Sequence, residues 1–211
     1  FPGACIGLEP QDLKYKGAPT EVFIGNNNTF RECVTINRAT EEGEKTKIGN
    51  GNLLMAYCHI AHNCNIGNRV VMSNSVQVAG HVLIEDRAVI GGCVGIHQFV
   101  HIGTLSMVGG LSKLDRDVPP YCLVEGNPAR MRSLNIVGIR RSGLERQNHD
   151  EFEQLQDTWK LLYRSGHLLK QGLLLVRQKK LYFSSEHLCE FIEGSMQKGR
   201  RGPMPSVLAR S

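Results

Sequence analysis

Starting at Ile48 and moving six residues at a time, the chain reads Leu54, Ile60, Ile66, Met72, Val78, Ile84, Ile90, Ile96, Ile102, Val108 and Leu114, all large aliphatics. The same phase returns Ile36, Phe30, Ile24 and Ile6 upstream and lapses at Glu42, Ala18 and Asp12. Two positions before each aliphatic the chain favours small or β-branched residues, among them Val34, Cys58, Cys64, Val70, Val76, Val82, Ala88, Val94 and Val100. The following residue is often glycine, as at Gly25, Gly49, Gly67, Gly91, Gly103 and Gly109. Neither a helix of 3.6-residue period nor an alternating two-sheet sandwich sustains a period of six over a dozen repeats. A parallel β-helix does: each hexapeptide makes one flat face, the aliphatic fills the interior, and three faces complete a coil of about 18 residues. Glycine is expected to relieve the corners. The fold class is therefore mainly β, a hexapeptide-repeat β-helix over residues 1–133.

Two stretches break the pattern. "QDLKYKGAPTEV" (11–22) and "RATEEGEKTK" (38–47) are polar and read as loops thrown out from the prism, where ligand contacts tend to sit. Pro119, Pro120 and Pro128 end the repeat, since they suit neither a ladder nor a helix. Beyond them the period becomes helical. Phe152, Leu155, Trp159, Leu162 and Tyr163 line one face of a helix that Asn148 can cap and Gly166 can end, and a second helix is expected near 185–196 with Leu188, Phe191 and Ile192 inward. Residues 134–200 thus form an α-helical domain, and 201–211 a flexible tail.

Charge divides the chain the same way. Residues 1–120 hold 10 Lys and Arg against 11 Asp and Glu, and residues 121–211 hold 15 against 9. A basic second part suits an acidic partner, whether nucleic acid, an anionic membrane surface or an acidic protein. The seven cysteines form no Cys-x-x-Cys pair and are odd in number, which fits reduced thiols in a cytosol-like compartment. No segment approaches the roughly 18 apolar residues of a membrane span. The opening "FPGACIG" already continues the repeat without an initiator methionine, so an N-terminally shortened product is expected.

The coil length also places polar residues beside one another. Adding about 18 to His62, in "HIAHNC", gives Gly80, and adding it again gives Gln98. His81 and His97 lie one place away and His59 precedes by three, so four of the eight histidines gather near one edge of three coils, all outside the inward phase. A cluster of imidazoles, which titrate near neutrality, suits a general base. Zinc ligation is the competing use. It would require three histidines to converge, as in a trimeric β-helix carbonic anhydrase, whereas His59 and His62 should diverge. The glycines of "IGGCVGIHQF" fall on the repeat and lack the lysine of a phosphate loop.

"QDLKY", "NLLM", "HIAHNC", "AGHV", "HQF", "MVGG", "DVPPY" and "GNPA" resemble, in order and spacing, the UDP-N-acetylglucosamine acyltransferase family of lipid A biosynthesis. The resemblance implies a cytoplasmic homotrimer of left-handed β-helices. It would move an (R)-3-hydroxyacyl group from acyl carrier protein to the sugar 3-hydroxyl without a cofactor or metal. It further implies that His62 is the general base and that the Gly80 N–H stabilises the oxyanion. Asp12, Lys14, His59, His81, His97 and Gln98 would line the sugar and acyl grooves, and Asn135 and Arg141 would hold the nucleotide. Gly110, having no side chain at the far end of the groove, would admit acyl chains on the order of 14 carbons. The acidic carrier protein would dock on Arg130, Arg132, Arg140 and Arg141; neither nucleic acid nor stable membrane insertion is expected. The chain departs from the family pattern in three places. Asn63 stands where many members have aspartate after the base, Val137 replaces an acidic uridine contact, and Ser142 replaces a basic residue. Asn63, together with the absence of the family's earliest coils, leaves open a catalytically silent scaffold.

Overall fold

The computed structural model describes residues 1–206. Three parallel sheets form the faces of a prism. The first face contains Cys5–Leu8, Thr35–Asn37, His59–Ile60, Gln77–Val78, Gly95–Ile96 and Lys113–Leu114. The second contains Glu21–Ile24, Lys45–Ile48, Asn65–Ile66, Leu83–Ile84 and His101–Ile102. The third runs from Thr29–Phe30 through Leu53–Leu54, Val71–Met72, Val89–Ile90 and Met107–Val108 to Cys122–Gly126. Register pairs Ile60 with Val78 and Val78 with Ile96, the coil spacing expected of a left-handed parallel β-helix.

Burial explains the period. The aliphatic row (Ile48, Leu54, Ile60, Ile66, Met72, Ile84, Ile90, Ile102) and the row two residues earlier (Val34, Cys58, Val70, Val76, Val82) are all at most 1% exposed. Side chains of each row stack on their counterparts one coil away, so a single outward slip would expose an entire row.

The corners differ from the expectation that glycine turns them. From Ile48 to Val108 left-handed backbone falls three residues after each aliphatic, on Asn63 (φ 60°), His81 (φ 59°), Phe99 (φ 66°) and their equivalents. The glycine after the aliphatic answers crowding instead: a Cβ on Gly49 would lie 2.6 Å from the carbonyl oxygen of Gly67 in the next coil. At one corner an amide ladder ties the coils together. Asn50 N–H donates to Asn68 Oδ1 and Asn68 N–H to Asp86 Oδ1, at 2.8 and 2.7 Å.

The ladder also continues past the prolines expected to end it. Cys122–Gly126 pairs in parallel with Met107–Val108, and Ala129–Leu134 folds back antiparallel across it. Pro120 and Pro128 sit in the turns, where no ladder N–H is required. Among the described residues five helices follow: α1 (Ile136–Ser142), α2 (Leu144–Gln147), α3 (His149–Tyr163), α4 (Leu169–Val176) and α5 (Phe183–Ser195). Asn148 caps α3 by accepting from Glu151 N–H, and the five apolar residues expected on one face are buried. Gly166 is left-handed (φ 81°) but lies two residues beyond the Arg164 cap. Leu188, Phe191 and Ile192 of α5 are buried, as the pattern required.

The tail departs from the expected flexibility over 201–206. Met204 is fully buried, its N–H donates to Asp117 O at 2.7 Å, and Met131 N–H donates to Pro205 O at 2.9 Å. Two apolar or charge-bearing anchors, Met204 and the Arg200–Asp117 pair, outweigh the polar composition there. Residues 207–211 lie outside the described residues.

A half-buried acid, Glu85, joins prism to helices. Glu85 accepts from His101 Nε2 at 2.8 Å, from Thr104 N–H at 2.7 Å, and approaches His187 Nε2 of α5 at 3.2 Å. Burial opposes ionisation of Glu85, but the bonds from the two histidines outweigh it and hold its carboxyl at about 2. Glu85→Gln is expected to lower the unfolding free energy by about 1–3 kcal/mol at pH 7. Because the carboxyl is depressed from 4.5 to about 2, the wild-type increment is complete above pH 4.5 and lost as pH falls towards 2. Denaturant titrations of both proteins across that window should show a flatter curve for the variant.

Candidate active site

His62 occupies the corner between His59–Ile60 on the first face and Asn65–Ile66 on the second, and its side chain is 13% exposed. Its carbonyl accepts from His81 N–H in the next coil at 3.0 Å, which stacks the two corners. The ring therefore lies over Gly80. A Cβ there would meet His62 Cε1 at 2.5 Å and Nε2 at 2.6 Å, so only glycine fits. The Gly80 N–H donates to no protein acceptor among the described residues. The coil spacing thus brings together the two residues expected to be neighbours, an imidazole and a free backbone donor.

Asn63 fixes which ring nitrogen carries the proton. Its Oδ1 accepts from Thr40 N–H at 3.2 Å and Thr40 Oγ1 at 3.0 Å, while its Nδ2 donates to Glu44 Oε2 at 2.6 Å. A backbone N–H can only donate and a carboxylate can only accept, so the amide orientation is determined. Oδ1 then faces His62 Nδ1 at 2.9 Å, and Nδ1 must be the donor. The lone pair of the neutral imidazole is left on Nε2.

On that side stands Asp12, from the first loop. Its Oδ2 is 3.8 Å from Nε2 and its Oδ1 accepts from Lys14 N–H at 2.9 Å. His81 meets His62 edge-on at 5.1 Å and stacks on Phe99 at 4.8 Å. Burial, and then the neighbouring His62, hold both His59 and His81 below the ordinary histidine range.

His59 turns away onto the first face, where its Nδ1 lies 2.7 Å from Thr35 Oγ1. There it shares with His97, Ala79 and Gly95 an apolar hollow of about 400 Å³. Gln98 stands one coil beyond Gly80 at the same corner, Phe99 N–H donating to Gly80 O. Gly110 is not at this corner. It lies against Gly92 at the junction of the third and first faces, across the first face from His62. Among the described residues, no three His, Cys, Asp or Glu side chains converge as metal ligands.

Asn135 and Arg141 belong to a separate cavity of about 690 Å³ beside the third face and α1. The Asn135 side chain is committed there: Oδ1 accepts from Gly138 N–H and Nδ2 donates to Leu105 O, capping α1. Val137 borders the same cavity, as does Ser142, whose hydroxyl donates to Ile139 O. Arg69 and Arg87 complete its rim and were not anticipated, although their separation of one coil is the signal that finds them. Of the arginines expected to dock a carrier, Arg132 pairs with Glu125 and Arg140 with Glu145, while Arg130 and Arg141 make no ion pair among the described residues.

Residues 117–204 match the second domain of UDP N-acetylglucosamine O-acyltransferase, and residues 45–80 match the bacterial transferase hexapeptide model. A Synechocystis acyl-(acyl-carrier-protein)–UDP-N-acetylglucosamine O-acyltransferase is 53% identical over 97% of this chain and 74% of its own length. The Nautilia profundicola enzyme of the same name is 45% identical over 91% and 73%. Among solved structures, Arabidopsis UDP-N-acetylglucosamine acyltransferase superposes with a TM-score of 0.90 at 37% identity, covering 95% of this chain and 72% of that one. The Acinetobacter baumannii protein gives 0.87 at 39%, covering 96% and 77%.

The fit of ring over glycine is testable by itself. Gly80→Ala should push the His62 ring off Asn63 and cost about 1–3 kcal/mol of stability through overpacking, checked by a crystal structure of the variant and its thermal unfolding.

Proposed function

The chain belongs to the UDP-N-acetylglucosamine O-acyltransferase family and transfers an acyl group from acyl carrier protein to UDP-N-acetylglucosamine, and on that premise we propose that His62 is its general base. The observation that carries this reading is the fixed tautomer: with Nδ1–H held by Asn63, the Nε2 lone pair faces the gap to Asp12. A sugar hydroxyl in that gap can donate to either group and is oriented by both.

In the proposed reaction the sugar 3-hydroxyl gives its proton to Nε2 as its oxygen attacks the thioester carbonyl of an (R)-3-hydroxyacyl carrier protein. Negative charge moves to the former carbonyl oxygen, where the unpaired Gly80 N–H can receive it. Collapse of the tetrahedral intermediate breaks the C–S bond. The imidazolium returns its proton to the departing thiolate, leaving ester and carrier thiol with neutral His62 restored.

Asp12 and Lys14 would hold the sugar and donor, and the apolar hollow by His59 and His97 would take the acyl chain, which could extend towards Gly110. Arg69, Arg87 and Arg141 give the second cavity the positive charge a nucleotide diphosphate requires. Asn135, with its side chain spent on α1 and its backbone N–H on Tyr121 O, would contribute by holding α1 and Arg141 at the cavity. Of the arginines expected to dock the carrier, Arg130 makes no ion pair among the described residues and would meet an acidic carrier first. A homotrimer would bring the two cavities of neighbouring chains together; Phe23, Tyr57, Phe99 and Leu111, all more than half exposed, support such an interface. The protein would work in the cytoplasm, at the first step of lipid A biosynthesis.

Incubation with UDP-N-acetylglucosamine and a 3-hydroxyacyl carrier protein should yield the 3-O-acylated sugar nucleotide. His62→Ala should lower kcat by roughly 10²–10⁴-fold with an unchanged circular-dichroism spectrum, and near-wild-type turnover in that variant would remove His62 from the mechanism.

A further inference from the structure

We propose that Glu44 is a positioning residue for catalysis, acting on His62 through the Asn63 amide. The inference rests on His62 being the base. A general base that becomes an imidazolium in the transition state gains from a nearby carboxylate, and an amide alone orients the ring without balancing its charge. At position 63 this chain has only the amide. The carboxylate is found one bond further on: His62 Nδ1–H to Asn63 Oδ1 at 2.9 Å, then Asn63 Nδ2–H to Glu44 Oε2 at 2.6 Å.

The connection is built from several directions. Glu44 lies in the second excursion from the prism, and its Oε2 also accepts from Glu41 N–H at 3.2 Å, which steadies the carboxylate at the loop tip. The loop returns through Thr46, whose Oγ1 accepts from Asn63 N–H at 2.9 Å. Thr40, at the start of the same loop, occupies the other face of Oδ1. Every polar atom of the Asn63 side chain is thus directed by this excursion. The left-handed backbone at Asn63 is one that asparagine adopts readily.

Among the described residues, the charged or titratable groups around His62 and the adjacent His81 come from four elements. Asp12 and Lys14 come from the first loop, His59 and His81 from the first face and the next corner, and Glu44 from the second loop. Asp12 lies on the Nε2 side, where substrate must enter. Glu44 is the carboxylate on the Nδ1 side. When Nε2 takes a proton, the ring charge spreads to Nδ1–H, and the polarised amide transmits the attraction of Glu44 without proton transfer along the chain.

The test compares wild type, Glu44→Gln, Glu44→Gln with Asn63→Asp, and His62→Ala in one acyl-transfer assay across pH. Glu44→Gln is nearly isosteric and sits on an exposed loop, so its thermal midpoint should stay within a degree or two of wild type. Its kcat should fall roughly tenfold with KM for the sugar nucleotide unchanged, and the acid limb of its kcat/KM profile should move to lower pH. Adding Asn63→Asp should restore most of kcat, because a carboxylate then meets Nδ1–H directly. An unchanged kcat and pH profile in Glu44→Gln, with His62→Ala inactive, would overturn the relay and leave the base assignment standing. A kcat loss that follows a lowered thermal midpoint and is not rescued by Asn63→Asp would overturn it as well. Full activity in His62→Ala would overturn both.

Discussion

The hydrogen-bonded register between successive coils is the constraint on which the rest depends. Ala61 N–H to Val78 O, His81 N–H to His62 O and Phe99 N–H to Gly80 O, at 2.9 to 3.2 Å, lock each coil above the one before. The buried aliphatic row forbids any slip, since a shift of one residue would turn it out to solvent. Corner residues are then columns. His62, Gly80 and Gln98 form one, and Asn63, His81 and Phe99 form the adjacent left-handed one. The imidazole and the backbone donor are neighbours because the core packs, before any interaction of their own.

What the columns cannot supply is negative charge. Each carboxylate at the site arrives from a segment that leaves the repeat: Asp12 from the first excursion, Glu44 from the second. The rigid prism provides imidazole, amide and backbone N–H, and the loops add acids on opposite sides of the ring. Burial, and then His62 itself, hold the neighbouring His59 and His81 below the ordinary histidine range. Such a division suits a reaction in which charge appears on the ring only briefly.

The sequence made the column legible and the loops illegible, for the same reason. A period of six specifies register, so His62 above Gly80 follows from arithmetic, as does Arg87 one coil beyond Arg69. Asp12 near His62 and Glu44 on Asn63 are tertiary contacts of aperiodic segments, and nothing in their spacing encodes them. Helix α3 was readable because its apolar face and its Asn148 cap agree. Helix α4, "LKQGLLLV", has no polar face to reveal a period, and α1 is capped by Asn135, a residue that the family resemblance gives to the nucleotide. The strands after Pro120 and the buried Met204 have no sequence signature, because local composition argues against order that packing imposes.

At the centre is the claim that His62 is held as the Nδ1–H tautomer with Nε2 free. Nitrogen-15 NMR of histidine-labelled protein, at a pH where the ring is neutral, reads this directly. The account predicts a protonated, pyrrole-type Nδ1 and an unprotonated, pyridine-type Nε2 for His62, assigned by loss of the signals in His62→Ala. A neutral ring carrying its proton on Nε2 would contradict the account, since no lone pair would then face the substrate.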